Sequence, residues 1–141
     1  MTAASPLGTC LLAKLREAFP EREFVEPVEP HVLVSIHSPH PDVGRLDIDD
    51  DGDELTAHIG RFAHAHLGGH DDLPDGPARH AAIADDVVAW LRELFADRIE
   101  FYGTGRAGGW GIRSGKRRGW LSRWVFGART YVWSGPLDPG A

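Results

Sequence analysis

The chain has 141 residues, of which 42% are hydrophobic and 26% charged, and its formal net charge at pH 7 is −6. This length and composition fit one globular domain with its own core and exclude a chain that is disordered throughout. The single cysteine, Cys10, excludes an intramolecular disulfide, and the lack of a signal-peptide pattern or of about 20 consecutive apolar residues leads us to expect a soluble cytoplasmic protein.

A stripe of apolar side chains that recur every four residues predicts a helix near the start of the chain. The stripe consists of Leu7, Leu11, Leu15 and Phe19. Ser5 followed by Pro6 is typical of a helix start, and Pro20 predicts its end. Residues 21–30 are rich in proline and glutamate and predict an extended connection.

Residues 31–67 alternate between apolar and polar side chains, which predicts an antiparallel meander of three strands. The apolar positions that share a face within each strand are Val32, Val34 and Ile36, then Leu46 and Ile48, and then Leu55, Ala57 and Ile59. The pair Asp51–Gly52 predicts a two-residue hairpin turn between the second and third strands.

A second, longer helix is predicted over residues 78–96, because its apolar residues follow the spacing of one helical face. Strands are predicted at 99–102, 120–126 and 129–133, and the last two form a closing hairpin. Residues 103–119 contain seven glycines and five basic residues, so we expect a mobile loop there.

These elements predict a single α+β domain over residues 1–141, in the order α-β-β-β-α-β-β-β. We expect an antiparallel sheet of five to six strands, with the long helix packed on one face and the N-terminal helix beside it.

Charge is divided unevenly along the chain. Residues 1–104 contain 20 acidic and 8 basic residues, whereas residues 105–141 contain one acidic and seven basic residues. The division fits either a plainly solvated surface or a surface that steers a basic partner protein. For the second case the candidate contacts are Asp49, Asp50, Asp51, Asp53 and Glu54. The overlapping run from Asp47 to Gly52 begins like a calcium loop, but the twelfth position of that loop is His58 rather than a carboxylate, so a hairpin turn explains the run better.

Histidines at positions 58, 64 and 66 share a side of the predicted third strand. His64 and His66 are spaced so that both rings can reach one ion, with His70 or an aspartate of the following loop as a third ligand. This pattern predicts a zinc site or a metal-dependent hydrolase. The alternative is a solvated strand whose histidines only form hydrogen bonds.

The tail combines basic and aromatic side chains, as proteins that bind single-stranded nucleic acid do. Its candidate contacts are Arg117, Arg118 and Trp120. The acidic charge of the whole chain disfavours this function. The sequence also lacks the GxSxG, GxxxxGK[ST] and GxGxxG motifs of common enzyme sites.

The segments HVLVSIHSP, DDDGDELTAHIG with the following HAH, and residues 83–99 resemble small uncharacterised bacterial α+β proteins. Some proteins of this kind are immunity proteins, which neutralise a toxin made by the same cell. The resemblance covers about half of the chain and implies a non-enzymatic protein-binding domain. Apart from the zinc site described above, we expect no cofactor, and the sequence leaves a homo-oligomer open.

Overall fold

The computed structural model describes residues 4–25, 27, 29–60, 62–103, 108–113 and 130–137. These residues form two helices and two four-stranded antiparallel sheets, which confirms the predicted α+β class with its N-terminal helix. The helices are α1 (Pro6–Ala18) and α2 (Pro77–Phe95). The strands of sheet A are β1 (Val32–His37), β2 (Arg45–Asp50), β3 (Leu55–Ile59) and β4 (Ala63–Leu67). Those of sheet B are β5 (Ile99–Gly103), β6 (Gly108–Ile112), β7 (Thr130–Val132) and β8 (Gly135–Pro136).

Sheet A is a meander in which each strand pairs with the next one along the chain. Its side chains alternate between two faces, and the apolar side of β1 to β4 lies in the core. The buried residues on that side are Val34, Ile36, Leu46, Ile48, Leu55, Ala57, Ile59 and Ala65. The other side, which we call the outer face, therefore carries the polar residues of the alternation.

The two helices pack against each other and close the core above sheet A. Helix α1 contributes Leu7, Leu11 and Leu15, and α2 contributes Ile83, Ala84, Val87, Trp90, Leu91 and Leu94. At the rim of the helix pair, Lys14 Nζ lies 2.8 Å from Asp85 Oδ1. The hydrogen bond to Asp85 raises the pKa of Lys14, although both side chains are too exposed for this ion pair to contribute much stability.

Sheet B has the strand order β6-β5-β7-β8, and its β6 lies next to β4 of sheet A. Gly108 allows this approach, because a Cβ atom there would collide with the carbonyl oxygen of Phe62. From the same strand, the Trp110 ring contacts the edge of the Trp90 ring, with centroids 5.7 Å apart. The predicted loop over 103–119 is therefore wrong at 108–112, because glycine allows close packing there and Trp110 finds an aromatic partner.

Two further details differ from the sequence-based expectations. The predicted third strand is two strands, β3 and β4, because the chain turns at Gly60, where φ is +52°. The turn between β2 and β3 has four residues rather than two, since Asp50 pairs with Leu55. The eight strands observed thus exceed the five or six expected. The strand predicted at 120–126 lies outside the described residues.

The core position of α1 predicts a large difference between two neighbouring leucines. Leu11 is fully buried, whereas Leu12 is only partly buried. We expect Leu11→Ala to lower the free energy of unfolding by about 2–5 kcal/mol, because it removes buried methyl groups and leaves a cavity. Leu12→Ala should lower the free energy of unfolding clearly less. Urea titration of both variants measures the difference. Equal losses at the two positions would contradict the described orientation of α1.

Candidate functional site

The acidic turn between β2 and β3 is held by hydrogen bonds of its own. The Asp51 backbone N–H donates to the Glu54 carbonyl oxygen at 3.1 Å, and the Gly52 N–H donates to Asp50 Oδ1 at 3.0 Å. Gly52 has a φ of +91°, which a side chain would strain. Thr56 Oγ1 closes the turn by donating to Asp51 Oδ2 at 2.7 Å. The carboxylates of this turn are therefore presented by a defined backbone.

Asp50 is hydrogen-bonded to the start of α1 and is not an open surface carboxylate. Its Oδ2 accepts the backbone N–H of Ser5 at 2.8 Å, and its Oδ1 accepts the Ser5 hydroxyl at 2.6 Å. Ser5 Oγ in turn accepts the N–H of Gly8 at 3.0 Å and caps the helix. A carboxylate at this end also opposes the positive end of the helix dipole. Asp50, predicted as a partner contact, therefore has structural bonds within the domain.

A second group of carboxylates lies at the same end of sheet A. Leu55 is opposite Leu67 in the β3–β4 pair, so the β2–β3 turn and the segment that follows β4 leave the sheet side by side. That segment carries two strongly exposed carboxylates, with side-chain exposures of 92% for Asp71 and 85% for Asp75. We call the combined surface the acidic end, and it consists of Asp51, Asp53, Glu54, Asp71, Asp72 and Asp75.

Bonds within the domain neutralise the acidic end only in part. Arg79 Nη2 lies 3.1 Å from Asp71 Oδ1, and His80 Nε2 lies 3.2 Å from Asp75 Oδ1. Exposed pairs such as these are weak and leave carboxylate oxygens open to solvent. Asp53 and Asp72 form no ion pair or hydrogen bond within the described part of the chain. The acidic end therefore keeps a net negative charge.

The outer face of sheet A brings three imidazoles together. His58 on β3 is directly opposite His64 on β4, and His66 lies two residues further along β4, opposite Thr56. The ring centroids of His58 and His64 are 6.0 Å apart, and those of His64 and His66 are 5.1 Å apart. We call this group the histidine cluster.

Two members of the histidine cluster are oriented by oxygen atoms. His58 Nε2 donates to Asp49 Oδ2 at 2.9 Å. His66 Nδ1 lies 3.3 Å from Thr56 Oγ1 and 3.4 Å from Glu54 Oε1. Asp49 is thus turned to the outer face, and its side chain is only 15% exposed. Of the five carboxylates predicted to contact a partner, Asp49 is bonded to His58 and Asp50 to Ser5 and Gly52, and the other three belong to the acidic end.

His70 does not join the other two predicted metal ligands. Its Nε2 donates to Asp86 Oδ2 on α2 at 2.7 Å, and its backbone adopts a φ of +60°. Within the ranges that the structure describes, no group of three or more His, Cys, Asp or Glu side chains is placed to hold a metal ion. The predicted zinc site on His64, His66 and His70 therefore stays a prediction, although its first two members do share the outer face.

A cleft of about 410 Å³ lies beside β1, at the edge where Val25 forms a β-bridge with Ser35. Its lining includes Glu21, Arg22, Glu23 and His37. The Arg22 guanidinium stacks over the Phe95 ring, with 3.6 Å between its carbon and the ring centroid, and burial lowers its pKa from the ordinary arginine value. The described lining residues include no serine, threonine, cysteine or lysine that His37 could activate as a nucleophile.

The remaining candidate residues fall elsewhere. Arg117, Arg118 and Trp120, the predicted nucleic-acid contacts, lie outside the described residues. Trp133, which the sequence places on the closing hairpin, is buried next to Phe95, with ring centroids 5.4 Å apart.

Comparisons with known proteins identify no relative. No family model matches the chain, and neither a curated protein nor a solved structure is significantly similar to it. Neither of the two described helices has the length and apolar character needed to cross a membrane.

The contacts of Asp50 predict that it stabilises the domain while a neighbouring aspartate does not. We expect Asp50→Ala to lower the free energy of unfolding by about 1–3 kcal/mol, because the Ser5 donors lose their acceptor at the start of α1. Asp53→Ala, which removes the same charge from the adjoining turn, should change the free energy of unfolding by less than about 0.5 kcal/mol. Urea denaturation followed by circular dichroism measures both. If Asp50→Ala left the free energy of unfolding unchanged, the hydrogen bonds between Ser5 and Asp50 would be dispensable for stability.

Proposed function

We propose that the protein is a non-enzymatic binding domain of the immunity or accessory type, and that its acidic end contacts a basic partner protein. The observation that supports this most directly is the register of β3 and β4. It places Leu55 beside Leu67 and so joins two acidic segments, 51–54 and 71–75, that are separated in the sequence. Carboxylates from both segments then act on the same partner surface.

The charge distribution favours steering of a basic partner. Fixed charges of one sign on one end of a protein attract an oppositely charged partner over about a Debye length and raise its association rate. They also disfavour binding to acidic proteins, which supplies selectivity. Asp53 and Asp72 are the best placed for this, because neither has a cation within the described residues.

The rigidity of the turn also supports a binding role. The Asp51–Glu54 hydrogen bond and the bond from Thr56 to Asp51 fix the backbone before any partner arrives. A surface that is ordered in advance loses less conformational entropy on binding. Such a surface needs no catalytic group.

The proposal is tested by capturing the partner protein and then measuring its association rate. The full chain, immobilised, is exposed to a lysate of the cells that produce it, and bound proteins are eluted with increasing salt. We expect a basic protein that binds in a 1:1 ratio. For that partner, the double substitution Asp53→Asn with Asp72→Asn should lower the association rate about 3- to 10-fold at low salt and much less at 0.5 M salt.

The matched control removes the same charge from the opposite end of α1. Glu17→Gln with Glu21→Gln changes two exposed carboxylates near the end of that helix, far from the acidic end. This control should leave the association rate within about twofold of the rate of the unsubstituted protein. An acidic partner, or an equal loss of rate with both pairs of substitutions, contradicts the proposal.

A further inference from the structure

We propose that β6 is the contact surface for a second copy of this chain, and that two β6 strands pair edge to edge in an antiparallel homodimer. Strand β6 ends sheet B on one side, because the strand order of that sheet is β6-β5-β7-β8. Its sequence is GGWGI over residues 108–112. The proposed contact uses no residue of the acidic end and is independent of the proposed binding of a basic partner.

The outer edges of two other end strands are covered or short. Val25 forms a β-bridge with Ser35 on the outer side of β1. Strand β8 consists only of Gly135 and Pro136, and Pro136 has no backbone N–H to donate. Proteins commonly protect strand edges in this way, with a covering segment, a proline or a charged side chain. Strand β6 contains neither a proline nor a charged residue.

The register of β5 and β6 shows which backbone groups of β6 point away from β5. The Arg113 N–H donates to the Arg98 carbonyl oxygen at 2.7 Å. Hydrogen-bonded pairs alternate along an antiparallel ladder, so the N–H and C=O of Gly111 also point to β5. Those of Trp110 and Ile112 therefore point to the outer edge. Within the described part of the chain, neither residue forms a hydrogen bond to another segment on that side.

The side chains of the same two residues are the exposed large apolar groups of the described structure. Trp110 is 37% exposed and Ile112 is 56% exposed. Strand β4 approaches β6 at its other end, where Gly108 meets the Phe62 carbonyl oxygen. Unpaired backbone groups beside exposed apolar side chains are what an added β-strand requires.

A second copy fits this edge because the strand is complementary to itself. When two β6 strands pair about a twofold axis at Gly111, Trp110 of each chain lies opposite Ile112 of the partner subunit. Each such pair exchanges two backbone hydrogen bonds and covers an exposed apolar side chain from both chains. Gly111 has no side chain, and no described atom beyond its chain neighbours lies within 4 Å of the position of an added Cβ, so the two backbones meet without obstruction.

The charges next to β6 are compatible with this pairing. Like charges directly opposite each other destabilise a strand pair. In the register about Gly111, Arg113 lies opposite Gly109 of the partner subunit, so the two arginines do not meet. An uncharged edge offers no complementary group to a charged partner protein, whereas it matches a second copy of itself. One strand edge is smaller than the roughly 800 Å² per partner of stable complexes, so we expect a dimer that dissociates on dilution.

The test measures the mass of the full chain by analytical ultracentrifugation between about 5 μM and about 500 μM, the range of weak protein contacts. We expect the average mass to rise from that of one chain toward that of two. Ile112→Lys should lower the dimer affinity about 10-fold or more, because it places a charge inside the contact. The matched control Ala13→Lys adds the same charge at an exposed position of α1 and should leave the affinity within about twofold. A monomer over the whole range, or an unchanged dimer in Ile112→Lys, overturns the proposal.

A cross-linking variant tests the register while keeping both apolar side chains. Gly111→Cys, combined with Cys10→Ala, brings two thiols together at the twofold axis. Opposite residues of a non-hydrogen-bonded pair have Cα atoms about 4.5 Å apart, which a disulfide can span. We expect mild oxidation to link the two chains. Ala13→Cys in the same background should stay monomeric. Equal cross-linking of the two variants, or none in either, overturns the proposal.

Discussion

The antiparallel register of sheet A is the constraint on which the rest of the described structure depends. Side chains alternate between the two faces of a strand, so a shift of one residue would exchange the core and solvent sides of β2 or β3. The observed register buries Leu46 and Ile48 under the helices and leaves Asp47 and Asp49 on the outer face. Burial of the apolar side fixes where each polar group lies.

The two candidate sites follow from that register in different ways. The acidic end depends on where the strands stop, because two segments leave the sheet side by side beyond Leu55 and Leu67. The histidine cluster depends on which residues face each other across β3 and β4, because His58 meets His64 on the side opposite the core. The same register therefore places the histidine cluster beside the acidic end, where His66 Nδ1 lies 3.4 Å from Glu54 Oε1.

The links between the sheet and its surroundings explain why some acidic residues are structural. Asp50 lies at the end of β2 and reaches the first turn of α1, where a Cβ atom on Gly8 would collide with its carboxylate. Asp97, with a φ of +60°, accepts the Ser134 N–H at 3.0 Å and so links the end of α2 to the β7–β8 hairpin. Local sequence shows that both residues are acidic, but only their distant partners distinguish an internal bond from a surface charge.

The sequence by itself determined the α+β class, both helices to within one or two residues and the apolar side of β1 to β3, because these follow from local periodicity. It predicted that His64 and His66 share a face for the same reason. Only the tertiary structure decided that Gly60 divides the predicted third strand and that Gly108 allows β6 to form beside β4. The tertiary structure also decided that His58 rather than His70 accompanies the other histidines, because strand pairing joins residues that no local pattern relates.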